Sequence, residues 1–373
     1  MLVRPGEHAE EDSRGELPDD GVHMVPDGSV TGTLPSGGIG VLLPTYVGRC
    51  DAQAHQETFH HLLERLAEVR ASRPGLHLTV WVAMQYGSGE YREALRRLRR
   101  MTALGAQDET LTVVGVALPG PGKIRTLNTV LRLTAGLGYA GWLWTDDDIE
   151  IDPGCLARLV SRFHERGCRG AVGASPVILP RDSVAARTMG RIGTVTAPPN
   201  AYPAAACVMV ATDVVRAGIP VRRLTDDGFV LFELLDADAP DPLHDLEVVP
   251  DATISFYRVS RTHDTLQRLR RSLYSHVTCV ADYPWPVARV YLTRVLFYGL
   301  WPLAPWDGSR GPVRGVKRWA VKALHFTWFC RVAAELAVRG MARRPLRHVS
   351  WGDEGDFRSP TVAEPAAGAP AGA

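Results

Sequence analysis

The stretch GWLWTDDDIEIDPGCL, residues 141–156, decides the fold. Gly141–Thr145 is a brief run of aromatic and aliphatic residues, too short for a helix and suited to a buried strand. Asp146, Asp147 and Asp148 follow at once, and Pro153 then opens a helical pattern, a position proline tolerates. A buried strand that ends in acids and hands over to a helix fits an open α/β sheet, whose ligands bind beyond the carboxyl ends of the strands. Adjacent like charges repel, so something must offset them. A hard divalent cation, Mg²⁺ or Mn²⁺, does so with one or two carboxylates plus substrate phosphates. Residues two apart on a strand end share a face, which pairs Asp146 with Asp148 and turns Asp147 away. Taken alone, the same acids read equally well as a solvated turn.

Working outward, apolar runs alternate with amphipathic stretches. Strands are expected at Ile39–Pro44, Leu78–Met84, Leu111–Leu118 and Ala171–Ile178. Between them lie helical patterns. Ala52–Arg70 carries Phe59, Leu62, Leu63, Leu66 and Val69 at helical spacing. Tyr91–Met101 is a basic helix, and a further helix runs from about Ile124 to Leu137. This alternation implies a mostly parallel sheet flanked by helices.

Three further motifs follow apolar runs or sit on helices. Gly120-Pro121-Gly122-Lys123 opens the helix bearing Asn128. An ammonium there suits a diphosphate, though the Walker spacing is absent and an ordinary turn explains the glycines. Thr225-Asp226-Asp227-Gly228 precedes FVLFELL. A carboxylate there is a candidate general base, and an N-cap is the plainer alternative. Gln267-Arg268-Leu269-Arg270-Arg271 offers guanidinium forks for phosphate, or simply a solvated basic face.

Together these motifs resemble the family 2 glycosyltransferases of GT-A fold over roughly Gly38 to Ser275. IGVLLPTY (Ile39–Tyr46) resembles the family's first strand, which implies donor-nucleotide contacts from Pro44, Thr45 and Tyr46. KIRTLN (Lys123–Asn128) resembles its Gly-Lys-…-Leu-Asn helix start. Asp146 and Asp148 fall on its DxD acids, and Asp226-Asp227 on its Glu-Asp pair. Gln267, Arg270 and Arg271 match its QxxRW element, with Arg271 in place of tryptophan. The resemblance implies an inverting hexosyltransferase and a nucleotide-diphosphate-sugar donor of UDP or GDP type. Mn²⁺ or Mg²⁺ would bind at Asp148 and Asp146, with Asp146 and Asp147 near the donor. Asp227 would be the catalytic base, and His263 a further metal ligand. Where the family places Asp-Asp-Gly-Ser, this chain has Gln85-Tyr86-Gly87-Ser88. Gln85, which donates and accepts, is then the candidate for nucleobase contact. In the family the QxxRW element marks processive polysaccharide synthases, which also carry several membrane helices; no such span is read here, so single-sugar transfer is expected.

Composition bounds the rest. The chain has 42 basic and 41 acidic residues, which argues against bulk capture of nucleic acid. Its six cysteines are scattered, with no CxxC pair, as expected of thiols in a reducing cytoplasm. The polar first residues lack a signal-peptide core. Val287–Pro305, the nearest candidate span, carries Arg289 and Arg294. A cytoplasmic location is expected, peripheral on the inner face of a membrane if the C-terminal helices reach it. Residues 1–36 and 349–373 read as disordered tails, 37–275 as the GT-A domain and 276–348 as a helical extension. Arg310–Arg347 has ten basic residues against Glu335 alone, interleaved with Trp319, Leu324, Phe326, Trp328 and Phe329. That pattern suits a membrane-surface helix and a lipid-linked hydroxyl acceptor, or a helix packed on the domain with solvated arginines.

Three rival readings remain. A nucleotidyltransferase would need a Gly-rich basic loop after the first strand, where this chain has Pro44-Thr45-Tyr46-Val47. A terpene synthase would use Asp146–Glu150 as DDxxE, but in an all-helical fold. A non-catalytic binding or scaffold protein would explain the lost Asp-Asp pair before Gly87.

Overall fold

The computed structural model describes residues 22–25, 37–105, 111–120, 122–179, 202–221, 225–257, 274–275, 277–296 and 312–342. Among these, nine strands form one sheet: β1 His23–Val25, β2 Ile39–Tyr46, β3 Leu78–Tyr86, β4 Leu111–Pro119, β5 Gly141–Thr145, β6 Glu150–Ile151, β7 Ala171–Leu179, β8 Cys207–Ala211 and β9 Leu246–Tyr257. The order is β1-β4-β3-β2-β5-β8-β7-β9-β6. Six strands run one way, and β1, β6 and β8 run against them. The principal helices are α1 Ala52–Ser72, α2 Tyr91–Gly105, α3 Lys123–Leu133, α4 Cys155–Glu165, α5 Asp226–Leu234 and α6 Pro312–Met341. The fold is therefore α/β, with a mostly parallel sheet flanked by helices.

Alternation along the strands builds two cores. Ile39, Val41 and Leu43 of β2 face the side covered by α1, α2 and α4, whose Phe59, Leu98 and Leu159 pack there. Leu42 of β2 and Trp81 of β3 face α3 and α5, packing with Leu127 and Phe229. Gly40 lets β2 lie under the Trp142 ring, which a Cβ would strike. Cys279, Val290 and Tyr291 join the second core, so the chain beyond Ser275 returns to the same packing.

From β2 the chain moves outward through β3 and β4, then comes back to place β5 on the other side of β2. Two neighbouring parallel strands whose connections leave in opposite directions open a crevice at their carboxyl ends, the usual ligand position in such sheets. β2 pairs with β5 only from Ile39/Gly141 to Leu42/Trp144. Thr45 and the acids after Thr145 thus lie at the mouth of that crevice. Pro44 sits beyond the last β5 pairing, where its missing N–H costs no bond to β5.

Candidate functional site

Strand β5 stops at Thr145, and Asp146–Ile149 form a turn. The alternating-face geometry expected of these acids therefore does not continue through them, and each takes its own direction. Asp146 meets Lys123, with Nζ 2.6 Å from Oδ1. The same ammonium lies 2.8 Å from Asp226 Oδ2 and donates to the Ala205 carbonyl at 3.0 Å. Three contacts match its three N–H donors. One lysine thereby ties the acids after β5 to the first residue of α5. Burial works against this ammonium, but the two carboxylates outweigh it and hold its pKa above the usual lysine range. Burial pushes Asp226 up to about 6; Asp227 and Asp146 add to the rise, and Lys123 opposes it. The sequence offered Lys123 to a diphosphate; in the structure its ammonium is held by two carboxylates.

Asp147 turns toward β2, where Thr45 Oγ1 donates to its Oδ2 at 2.6 Å. Thr45 Oγ1 also lies 2.9 Å from His55 Nε2, and His55 Nδ1 lies 2.7 Å from Arg97 Nη1. Arginine has no acceptor, so Nδ1 must accept and a neutral His55 carries its proton on Nε2. The chain of donors then runs in one direction: Arg97 to His55, His55 to Thr45, Thr45 to Asp147. Arg97 is itself fixed by the Val47 and Cys50 carbonyls and by Glu93. His55 and Arg97 were missed in the sequence. The signal existed for His55, because residues 55, 59, 62, 66 and 69 share the buried stripe of α1. A polar ring on that stripe needs a partner.

Gln85 is buried at the end of β3. Its amide donates to the Gly122 carbonyl at 2.7 Å and accepts from the Gly122 N–H at 3.0 Å, and it also contacts Thr126 Oγ1. This strap holds the turn before α3, where Gly122 has φ +135°. The amide considered for a nucleobase is thus engaged by the backbone. Glu90 folds back to accept from the Gly87 N–H at 2.7 Å, which puts a carboxylate beside the segment that follows β3. Tyr46 is half-buried against Gly48 and Gly87. Asn128 lies five residues after Lys123, roughly 140° around α3. It abuts Gly218, where a Cβ would collide with its Oδ1.

Asp227 lies in the first turn of α5 and is half-buried, with Oδ1 accepting from Gly228 N–H at 2.7 Å. Thr225 does not cap the helix; its hydroxyl shares a 2.6 Å bond with Ser275. Asp148 is buried in the acidic turn. Gln267, Arg270, Arg271 and His263 lie outside the described residues. No group of three or more His, Cys, Asp or Glu among the described residues is arranged to hold a metal. The oxygen donors Asp146 and Asp148 suit in kind and number a hard cation that brings phosphate ligands with it.

No family model matches the chain, and no curated protein matches it. Among solved structures it is similar to S. aureus TarS, residues 1–349, with 11% identity and a TM-score of 0.39 over 86% of this chain and 98% of that one.

Proposed function

We propose that this chain is a glycosyltransferase that moves a sugar from a nucleotide-diphosphate donor to an acceptor hydroxyl, one sugar at a time and with inversion. The observation that carries this reading is the bridge made by Lys123 between Asp146 and Asp226 at the β2/β5 crevice. It gathers the acids of two distant motifs at the edge where an α/β sheet binds ligands. Sugar transfer rather than another chemistry is inferred from the motif resemblance.

In this reading Asp148, with Asp146, would hold Mg²⁺ or Mn²⁺. The bound cation would supply charge neutralisation for the departing diphosphate. The protein's own groups have separate tasks. Lys123 orients Asp146 and Asp226 and offsets part of their negative charge. The Arg97–His55–Thr45 chain fixes Asp147 and with it the acidic turn. Asp226 is buried and committed to Lys123, which leaves the half-buried Asp227 to take the acceptor proton. The hydroxyl would attack the anomeric carbon opposite the diphosphate, so a single displacement inverts the centre.

Release of nucleoside diphosphate from a panel of UDP- and GDP-sugars tests the assignment. Asp227→Asn should lower turnover by about 100-fold or more while leaving donor affinity nearly unchanged. Equal loss of turnover and affinity would assign Asp227 to holding α5 instead. The non-catalytic reading keeps one observation in its favour, the engagement of Gln85 by Gly122. It requires that none of these donors turn over.

A further inference from the structure

Helix α6 is thirty residues long, about 45 Å. It is anchored by one side. Val332 is buried, and Glu335 Oε1 accepts from the buried Tyr274 hydroxyl at 3.0 Å and from Arg339 at 3.3 Å. Val316, Trp319, Phe326, Cys330, Ala337 and Met341 are all exposed. At 3.6 residues per turn they fall on one stripe, and Val332 and Glu335 lie roughly 140–200° around from Cys330. The helix therefore turns its bonded side inward and a continuous uncharged stripe outward. Trp319 is 59% exposed and Met341 76%. A protein surface rarely exposes so long an apolar stripe.

We infer that this stripe docks on an anionic membrane surface, with α6 lying in the plane of the headgroups. Three observations choose this occupant. Of the six lysines and arginines of the helix, Arg318, Lys322 and Arg331 fall on the flanks of the stripe at 3.6 residues per turn, and its one acid, Glu335, falls on the bonded side, an arrangement complementary to acidic lipid. The same imbalance opposes a second copy, since pairing two α6 helices would bring like charges together. No helix among the described residues is long and apolar enough to cross a membrane, so the contact is interfacial. Exposed tryptophan and phenylalanine are side chains that favour that layer.

The full-length protein is sedimented with vesicles of phosphatidylcholine alone and of phosphatidylcholine mixed with phosphatidylglycerol. Binding is expected to the mixed vesicles, weakened by salt, with tryptophan emission shifting to the blue. Val316→Glu/Trp319→Glu changes only exposed positions, so an unchanged unfolding curve should accompany a loss of vesicle affinity of about tenfold or more. Arg331→Glu, also exposed, should weaken binding to the mixed vesicles only. Failure of the wild-type chain to bind mixed vesicles overturns the inference, as does equal binding by the double variant. A dimer in solution that Val316→Glu/Trp319→Glu dissolves, with no vesicle binding, would assign the stripe to a second copy.

Discussion

Thr45 and Asp147, 102 residues apart in the chain, are joined by a 2.6 Å hydrogen bond in which the threonine hydroxyl donates to the carboxylate. They meet because β2 and β5 are adjacent parallel strands ending at one edge. The same hydroxyl faces His55. Thr45→Val keeps the shape but removes a donor to Asp147 and an acceptor for His55. It should cost about 1–3 kcal/mol in urea unfolding. Thr45→Ser keeps the hydroxyl and should recover most of that loss. Equal cost for both substitutions would mean that the methyl group, not the bond, matters.

The donor chain from Arg97 fixes the state of His55. Nitrogen-15 spectra of the imidazole should show a neutral ring protonated on Nε2 at pH 7. Arg97→Met removes the group that demands a lone pair on Nδ1, and the other tautomer should then appear. A doubly protonated ring in the wild type would contradict this hydrogen-bond direction.

Lys123 pairs with two carboxylates at once. Lys123→Met should destabilise the fold by about 3–5 kcal/mol, because it leaves buried acids without their cation. Adding Asp226→Asn to that variant should cost less than in the wild type, or should restore stability. A double-mutant cycle in denaturant measures the coupling, expected at about 0.5–3 kcal/mol. Strict additivity would show that the bridge carries no energy of its own.

Asp226 gives the cluster a pH signature. Its folded-state pKa is raised from 3.8 to about 6, so between those values the folded protein keeps a proton that the unfolded chain has released. Its contribution to stability is full below about pH 4, falls as pH rises toward 6, and is level above that. The unfolding free energy of wild type relative to Asp226→Asn should follow that course. A difference that grows with pH across the window would mean that the ion pair with Lys123 dominates burial.

Much of this was legible in the sequence, for reasons particular to each element. Ile39–Tyr46, Leu78–Tyr86, Leu111–Pro119, Gly141–Thr145 and Ala171–Leu179 show themselves as apolar runs because strands covered on both faces cannot hide their composition. Strands β8 and β9 were not read. Cys207–Ala211 is only five residues, and Leu246–Tyr257 carries Pro250 and Asp251 mid-strand. Their pairings are set by the sheet rather than by local pattern. The acids 146–148 stood out at the end of β5, but their individual directions did not, because alternation ends with the strand at Thr145. The partners of Lys123, Gln85 and Thr45 come from distant segments, and no local spacing encodes them.

The most direct test of the donor site is thermal unfolding of the wild-type protein with UDP, with GDP and with neither, each with and without Mn²⁺. Occupancy of a donor site at Asp146 and Asp148 predicts that one nucleotide stabilises the fold only when the metal is present. The expected gain is about 2.7 kcal/mol at 100 times the dissociation constant, and Asp148→Asn should abolish it. A folded protein that shows no shift with either nucleotide, with or without Mn²⁺, would contradict the assignment.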